Sequence, residues 1–292
     1  MNLLRKIQYC QYWNIGFCEQ IPEELIQDKM LKPVKWLKHP FRDRWFADPF
    51  IYKVTDDEIV VFVEECPIEN PKGIICELVI DRHSLRLTQR YVLLEKDTHL
   101  SYPAIIRYGG KVYVYPENGA AGSLYLYEYD EYAHRLINPV CILNESVADA
   151  TIILHDDCFF LCATVFPETQ RRAFLFKSCS LFGPYQRINE KPFQESLSCS
   201  RNGGNLFCTF SNLYRPAQDC SIKYGGALSI MQVNSIEGWD EKVVFSINPL
   251  RGRYDQGIHT INFMNSLCVV DGNGYYMPSL GKLYSVIRRM LK

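Results

Sequence analysis

Asp48 is a lone carboxylate set among aromatic residues, in the run Arg44-Trp45-Phe46-Ala47-Asp48-Pro49-Phe50-Ile51-Tyr52. It opens an apolar stretch, and the proline after it is tolerated at the first position of a strand but not inside one. A polar turn at Asp56-Asp57 leads to a second apolar run, Ile59-Val60-Val61-Phe62-Val63, which ends in Glu64-Glu65. A hairpin returns to its starting edge, so Asp48 and Glu64 or Glu65 are expected at one end of a sheet. Such carboxylates are either a charged edge that keeps the sheet soluble or one side of a site.

The same plan recurs along the chain, which favours a site. The second copy opens Ser101-Tyr102-Pro103, turns at Gly109-Gly110 and returns to Pro116-Glu117; the third opens at Asp149 and turns at Asp156-Asp157. The fourth opens Asn202-Gly203-Gly204, turns at Ser211-Asn212 and ends near Gln218-Asp219; the fifth opens at His259 and ends at Asp271. Openings at 48, 102, 149, 202 and 259 are spaced by 54, 47, 53 and 57 residues. A period near fifty, made of short strands and turns, is that of propeller blades of four strands each. Ile74–Ile80 with Arg86–Leu94, and Ser123–Tyr129 with Leu136–Leu143, read as outer strands. The fold expected is all-β, a five-bladed β-propeller.

Its boundaries follow. Residues 1–43 are an N-terminal segment in which Tyr9–Phe17 is a candidate strand for closing the ring, and Pro22–Ile26 a turn or two of helix. Residues 44–279 are the propeller. Residues 280–292 change period: Leu280, Leu283, Tyr284, Ile287 and Leu291 share one helical face, with Lys282, Arg288, Arg289 and Lys292 elsewhere. That short amphipathic helix either docks on the rim or makes peripheral contact with anionic lipid.

Composition narrows the classes. With 47% hydrophobic and 13% aromatic residues the chain can bury a large core. A net charge of -1 argues against a nucleic-acid partner, which needs a strongly basic face. None of the twelve cysteines forms Cys-x-x-Cys, and most lie in apolar strands as small hydrophobes do. Without a secretory-type apolar N-terminus or a membrane-length run, the expected setting is cytoplasmic, with free thiols.

Asp48-Pro49 opening blade one and Asp149 opening blade three resemble the catalytic domain of family 43 glycoside hydrolases. The blocks Phe46-Ala47-Asp48-Pro49-Phe50, His99-Leu100-Ser101-Tyr102-Pro103, Pro116-Glu117, Arg201-Asn202-Gly203-Gly204 and Gln218-Asp219-Cys220 with Tyr224-Gly225 more closely resemble another group. This is the N-terminal domain of plant glucosamine inositolphosphorylceramide transferases and its bacterial stand-alone relatives, over about residues 44 to 275. The family 43 resemblance implies Asp48 as a base and Asp149 as its supporting carboxylate. Where that family has a glutamic acid opening the fourth blade, this chain has Arg201-Asn202-Gly203. An inverting glycosidase needs that acid to protonate the leaving oxygen, and its loss removes two to four orders of magnitude in rate.

A donor whose leaving group is already an anion needs cations instead, and Arg201, Arg215 and Lys223 are of the right kind. Glycosyl transfer or phosphorolysis, with a phosphorylated or nucleotide-linked sugar as partner, is therefore the first expectation. The second is a glycan-binding propeller without catalysis, using Trp45, Phe46, Tyr102, Tyr224, Asn202 and Gln218. The third is a glycosidase with a relocated acid, Glu117 or Asp219. An interaction scaffold is the fourth. Glu64, His99 and His259 complete the expected polar ring, His259 facing Asp48 across the channel. One of Glu64 and Glu65, both at that face, is expected to pair with an arginine. No spacing is diagnostic of a metal, and no metal or cofactor is expected.

Overall fold

The five predicted hairpins form, and each gains outer strands. The structure is a computed structural model that describes residues 3–290. Blade one is Arg44–Val54, Glu58–Pro67, Ile74–Asp81 and Leu87–Leu94; blade two is Ser101–Tyr108, Lys111–Glu117, Leu124–Asp130 and Arg135–Leu143. Blade three is Val147–His155, Cys158–Val165, Arg172–Ser178 and Gln186–Arg187, with Gln194–Glu195 also on its third strand. Blade four is Phe207–Thr209, Asn212–Asp219, Ala227–Ser235 and Asp240–Ile247.

Blade five is built from both ends of the chain. Ile261–Met264 and Leu267–Gly274 supply its inner strands. Tyr12–Glu19 pairs antiparallel with Leu267–Gly274, and Lys35–Trp36 lies outside it. The closing strand begins at Tyr12 rather than Tyr9, and Leu3–Gln8 before it is a short helix. Ring closure makes blades five and one neighbours, which matters for His259 below.

Inner strands read as unbroken apolar runs because each blade is covered on both faces. Val61, Phe62 and Val63 are all fully buried. Aromatic side chains such as Phe50, Phe62, Tyr129, Phe159 and Phe176 fill one continuous core through blades one to three. Ile15, Val61, Leu78 and Val269 fill the seam between blades five and one. Each large apolar side chain buried this way contributes about 1.5–3 kcal/mol.

Three blades open on the same bulge. Between Ala47 and Phe50, Ser101 and Ala104, and Ala148 and Thr151, the innermost strand carries one residue more than its partner. The residues thrown out of register are Asp48, Tyr102 and Asp149, with φ of 49°, 46° and 47°. Side chains rarely adopt this left-handed region, and each instance costs of order 1–3 kcal/mol. The repeat spacing placed these three residues at equivalent positions, and the backbone treats them alike.

Blade four is built differently. Its second strand, Asn212–Asp219, is regular and buried despite Pro216 and its polar residues. Opposite Pro216 the innermost strand is broken: only an isolated bridge at Asn202 and the short Phe207–Thr209 run alongside. Gly203 N–H donates to the Pro216 carbonyl at 2.9 Å, so the missing proline N–H has no ladder partner to lose. The polar residues of this strand are largely core.

The C-terminal helix spans Pro278–Met290. Its apolar face is not covered: Leu280 is 44%, Leu283 57% and Ile287 46% exposed. Lys282 reaches back to the Gly252 carbonyl and Asp255, while Tyr284 accepts from Gln8 of the N-terminal helix at 2.9 Å. Leu291 and Lys292 lie outside the described residues.

Candidate active site at the channel mouth

The bulges create the site. Each swings one backbone N–H out of the ladder, and each N–H finds a carboxylate. Asp48 N–H donates to Asp271 Oδ2 at 3.2 Å, Tyr102 N–H to Asp48 Oδ2 at 3.1 Å, and Asp149 N–H to Glu117 Oε2 at 3.2 Å. Blade five thereby grips blade one, blade one grips blade two, and blade two grips blade three.

Asp48 sits at the seam of blades five and one. Its Oδ1 accepts the Thr260 hydroxyl at 2.8 Å and lies 3.8 Å from His259 Nε2. His259 is adjacent to Asp48 through ring closure, not across the channel. The imidazole lies flat on Trp13, with ring centroids 4.0 Å apart, and Tyr224 meets it edge-on at 5.6 Å. Burial pushes the Asp48 carboxyl up to about 7; the His259 charge opposes that, and Asp149 and Glu64 add to it. Burial works against a charged His259, but Asp271 and Asp48 override it and carry the imidazole up to about 9.

Asp149 is held by donors from blade four. Arg201 Nε and Gln218 Nε2 each reach Asp149 Oδ2 at 2.5 Å, and a second Arg201 nitrogen lies 3.0 Å from Glu117. Burial raises the Glu117 carboxyl well above the usual range against the pull of Arg201. The Arg201 guanidinium also lies 5.3 Å from the Tyr224 ring centroid. Glu64 faces His99, whose Nε2 is 3.0 Å from Glu64 Oε1. Because Gly73 N–H donates to His99 Nδ1 at 2.9 Å, the proton of the neutral ring is on Nε2, the nitrogen nearer the carboxylate. That contact raises the His99 pKa, against the effect of burial.

Thus Asp48, Asp149, Glu117, Glu64, Arg201, Gln218 and His259 belong to linked networks around the channel mouth, with His99 on its rim. Other candidates take different places. Arg215 is wholly buried and forks onto Glu241 behind the channel wall, its remaining donors going to Cys199 O, Ser200 O and Asn202 Oδ1. It has no donor left for a phosphate. Asn202 ties Asp149 O and Cys162 O together at 2.7 and 2.9 Å and is likewise internal.

Trp45 is buried with its indole N–H on Tyr9 OH at 3.0 Å, so it offers no open stacking face. Tyr102 is wholly buried and reaches across to blade four. Its hydroxyl accepts from Gly204 N–H at 2.8 Å and donates to Gly204 O at 3.0 Å. Asp219 caps a local turn through Ser221. Lys223 and Tyr224 are exposed on the loop that follows. Glu64 and Glu65 do not share a face, because neighbours in a strand point to opposite sides. Glu65 is the one that pairs with arginines, Arg44 and Arg90.

Asp271, Thr260 and Trp13 complete the site without having been singled out for it. The signal for Asp271 was present: it ends the fifth return strand as Glu64 and Glu117 end the first and second. Trp13 carries no such signal, since only ring closure brings it to His259. Among the described residues Asp48, His259 and Asp271 are one group able to hold a metal ion, their ligand atoms all within 4.8 Å. A cation there would have to take the place of the proton between His259 Nδ1 and Asp271 Oδ2, which are 2.5 Å apart.

In fold, the chain is of the class seen in several glycoside hydrolases. It is similar to the catalytic domain of a family 62 α-L-arabinofuranosidase from Coprinopsis cinerea, with a TM-score of 0.58 and 9% identity over 80% of both chains. It is also similar to Zg3597, a family 117 glycoside hydrolase from Zobellia galactanivorans, with a TM-score of 0.56 and 9% identity over 91% of both. A thermostable family-43 glycoside hydrolase matches with a TM-score of 0.52 and 13% identity, over 71% of this chain and 76% of that one. Identities this low speak for fold alone.

Sequence goes further. The family described as "Glucosamine inositolphosphorylceramide transferase 1, N-terminal" matches residues 29–249, and the chain belongs to that family. It is 26% identical over 210 residues to Glucosamine inositolphosphorylceramide transferase 1 of Oryza sativa subsp. japonica, and 28% identical over 216 residues to that of Arabidopsis thaliana. These matches cover 70% and 71% of this chain but 28% of either relative, so the chain spans little more than a quarter of their length.

Proposed function

We propose that the channel mouth is a carbohydrate site at which Asp48 acts as a general base in glycosyl transfer or phosphorolysis. One observation carries this reading: Asp48 is a buried carboxyl pushed up to about 7, beside His259 and on the same ring as an Asp149 already engaged by Arg201 and Gln218. A base is most effective when its pKa lies near the working pH. Asp48 would take the proton of an acceptor hydroxyl, whose oxygen attacks the anomeric carbon while an anionic leaving group departs with the bonding electrons. Arg201 stands where the family 43 resemblance places an acid, which fits a leaving group that needs no proton. The family relationship to a glucosamine-transferring protein supports the same substrate class.

A second reading has its own observation. Burial raises Glu117 well above the carboxylate range, so it could serve as the proton donor of a glycosidase. The two part in their pH profiles. Hydrolysis through Glu117 loses the basic limb of a bell-shaped profile in Glu117→Gln, whereas transfer to an anionic leaving group does not need it.

The first test is a thermal-shift screen of wild type and Asp48→Asn against sugars, sugar phosphates and nucleotide sugars, followed by product analysis on whatever binds. Stabilisation by phosphorylated donors, with turnover lost in Asp48→Asn, supports the proposal. Stabilisation by plain glycans alone, equal in both proteins and without turnover, would make the domain a binder and sink it.

We infer a reducing, cytoplasmic setting and peripheral membrane contact as well. All twelve cysteines are free, which fits such a compartment. The exposed apolar face of Pro278–Met290 with Arg288 suits an anionic surface. Sedimentation with anionic vesicles but not zwitterionic ones is expected, and equal recovery with neither would remove the membrane from the picture.

A further inference from the structure

The strand that closes the ring is held to blade five by hydrogen bonds and packing alone. Tyr12–Glu19 and Leu267–Gly274 form an unbroken antiparallel ladder, from Tyr12 opposite Gly274 to Glu19 opposite Leu267. One rung in from that last pair, Cys18 stands opposite Cys268. Of the twelve cysteines, these two face each other across a ladder; the other strand cysteines of the described residues face different residue types.

Facing residues point to one side of a sheet, so both sulfurs enter the same space. There the pair belongs to one apolar cluster with Leu25, Ile258 and Ile261. Facing Cα atoms of an antiparallel ladder are about 4.5 or 5.5 Å apart, depending on the rung. Either spacing lies within the roughly 4.4–6.8 Å that a disulfide spans. The Cβ atoms need to draw together by about 1 Å. A bond made there is therefore strained and readily reduced.

The two thiols are not alike. The Cys268 thiol donates to the Cys18 sulfur and holds Cys18 below the usual thiol range against burial, with Lys32 adding to the effect. Burial raises Cys268 well above that range. Cys18 keeps 6% of its surface exposed and Cys268 none. Cys18 thus has the more thiolate character and lies nearer to solvent, which suits a thiol that reacts first. Strand ends open more readily than strand middles, and beyond Cys18 there is one rung, whose Glu19 is exposed.

We propose that Cys18 and Cys268 form a modification site for hydrogen peroxide, which converts the pair to a disulfide that fastens the closing strand to blade five. The Cys18 thiolate attacks one peroxide oxygen, the O–O bond breaks, and the departing hydroxide takes up a proton to leave as water. Cys18 is left as a sulfenic acid. The Cys268 sulfur then attacks the Cys18 sulfur, the S–O bond breaks, and that hydroxide leaves with the Cys268 proton as a second water. The two thiols lose two electrons, and one peroxide gains them. Two molecules of a small thiol of the glutathione class restore the pair by exchange and leave as their own disulfide. The bond links the strand carrying Trp13 to the strand carrying Asp271. The proposal does not depend on catalysis by Asp48.

The test is peptide mapping of the folded full chain with and without hydrogen peroxide, free thiols being blocked with N-ethylmaleimide before digestion. A linked Cys18–Cys268 peptide should appear with peroxide and vanish with dithiothreitol. It should form ahead of any link among the exposed Cys10, Cys141, Cys179 and Cys208. The loop it closes runs from residue 18 to residue 268, and long loops gain most, so the oxidised chain should melt about 5–10 °C above the reduced one. Cys268→Ala, its folding checked by its reduced melting temperature, should stop at a Cys18 sulfenic acid that dimedone traps, without that rise. Oxidation of the exposed cysteines with no linked Cys18–Cys268 peptide would overturn the proposal. So would a linked chain that melts no higher than the reduced one.

Discussion

Asp271 holds His259 at two points: its Oδ1 accepts the His259 backbone N–H at 2.9 Å, and its Oδ2 lies 2.5 Å from Nδ1 of the ring. One carboxylate thus sets both the backbone and the ring orientation, leaving Nε2 toward Asp48. The same Oδ2 receives the bulged N–H of Asp48 at 3.2 Å. Asp48 and the imidazole are thus both positioned by one carboxylate that is itself fully buried.

The first prediction concerns that clamp. His259 is raised from 6.5 to about 9, so its contribution to stability is complete below about 6.5 and is lost as pH rises through about 9. The wild-type melting temperature should fall between pH 7 and 9.5. Asp271→Asn should cost about 3–5 kcal/mol near pH 7 by leaving a buried charge uncompensated, and its melting temperature should be flatter over that window. A mutant curve parallel to wild type would show that His259 is not held as an imidazolium.

Asp48 should behave in the opposite sense. Its folded pKa of about 7 lies above the 3.8 usual for an aspartate, so the folded state binds the proton more tightly and stability is lost as pH rises from about 4 to 7. Ionised Asp48 is thus a cost to the fold. Asp48→Asn should therefore stabilise the fold at pH 8, on the order of 4 kcal/mol given about 1.4 kcal/mol per pKa unit. At pH 4 the change should be near zero. Urea melts at the two pH values measure this, and a variant destabilised equally at both would refute it.

How much of this was legible before the structure depends on the kind of signal. The repeat of hairpins revealed the fold and the equivalence of Asp48, Tyr102 and Asp149, because a period of fifty is written in turn residues and apolar runs. The direction of each side chain was not. Asp48 and Tyr102 hold the same bulge, yet the carboxylate joins Thr260 and His259 at the seam while the Tyr102 hydroxyl crosses to Gly204 in blade four. Arg215 looked functional because an arginine is the kind of cation that an anionic leaving group needs. Its partner Glu241 lies 26 residues on, and no local pattern joins them. Trp13 needed the closure of the ring itself.

Arg215 supplies the third prediction. A fully buried guanidinium with a bidentate carboxylate is a structural ion pair, and lysine cannot reproduce its fork. Arg215→Lys should lose about 2–4 kcal/mol in chemical denaturation. Any ligand-induced rise in melting temperature should stay as in wild type. A folded Arg215→Lys protein that had lost only ligand binding would return this residue to the site.

Arg201 is the contrasting case, because it bridges Asp149 and Glu117 at the mouth. Arg201→Met leaves the buried Asp149 without its cation, beside a Glu117 that burial already pushes toward its neutral form, and should cost about 3–5 kcal/mol at pH 7. Much of that should return on acidification, as protonation removes the uncompensated charge. Glu117→Gln alone keeps an oxygen for the Asp149 N–H and should be far milder. The combined variant should then be more stable than the sum of the single changes by about 1–3 kcal/mol, since contacting charges are not additive. Equilibrium urea melts of the four proteins give this coupling directly. Additivity within about 0.5 kcal/mol would mean that Arg201 is not spent on Glu117. Its guanidinium would then be available to a ligand at the mouth, which would strengthen the case for an anionic leaving group beside Asp48.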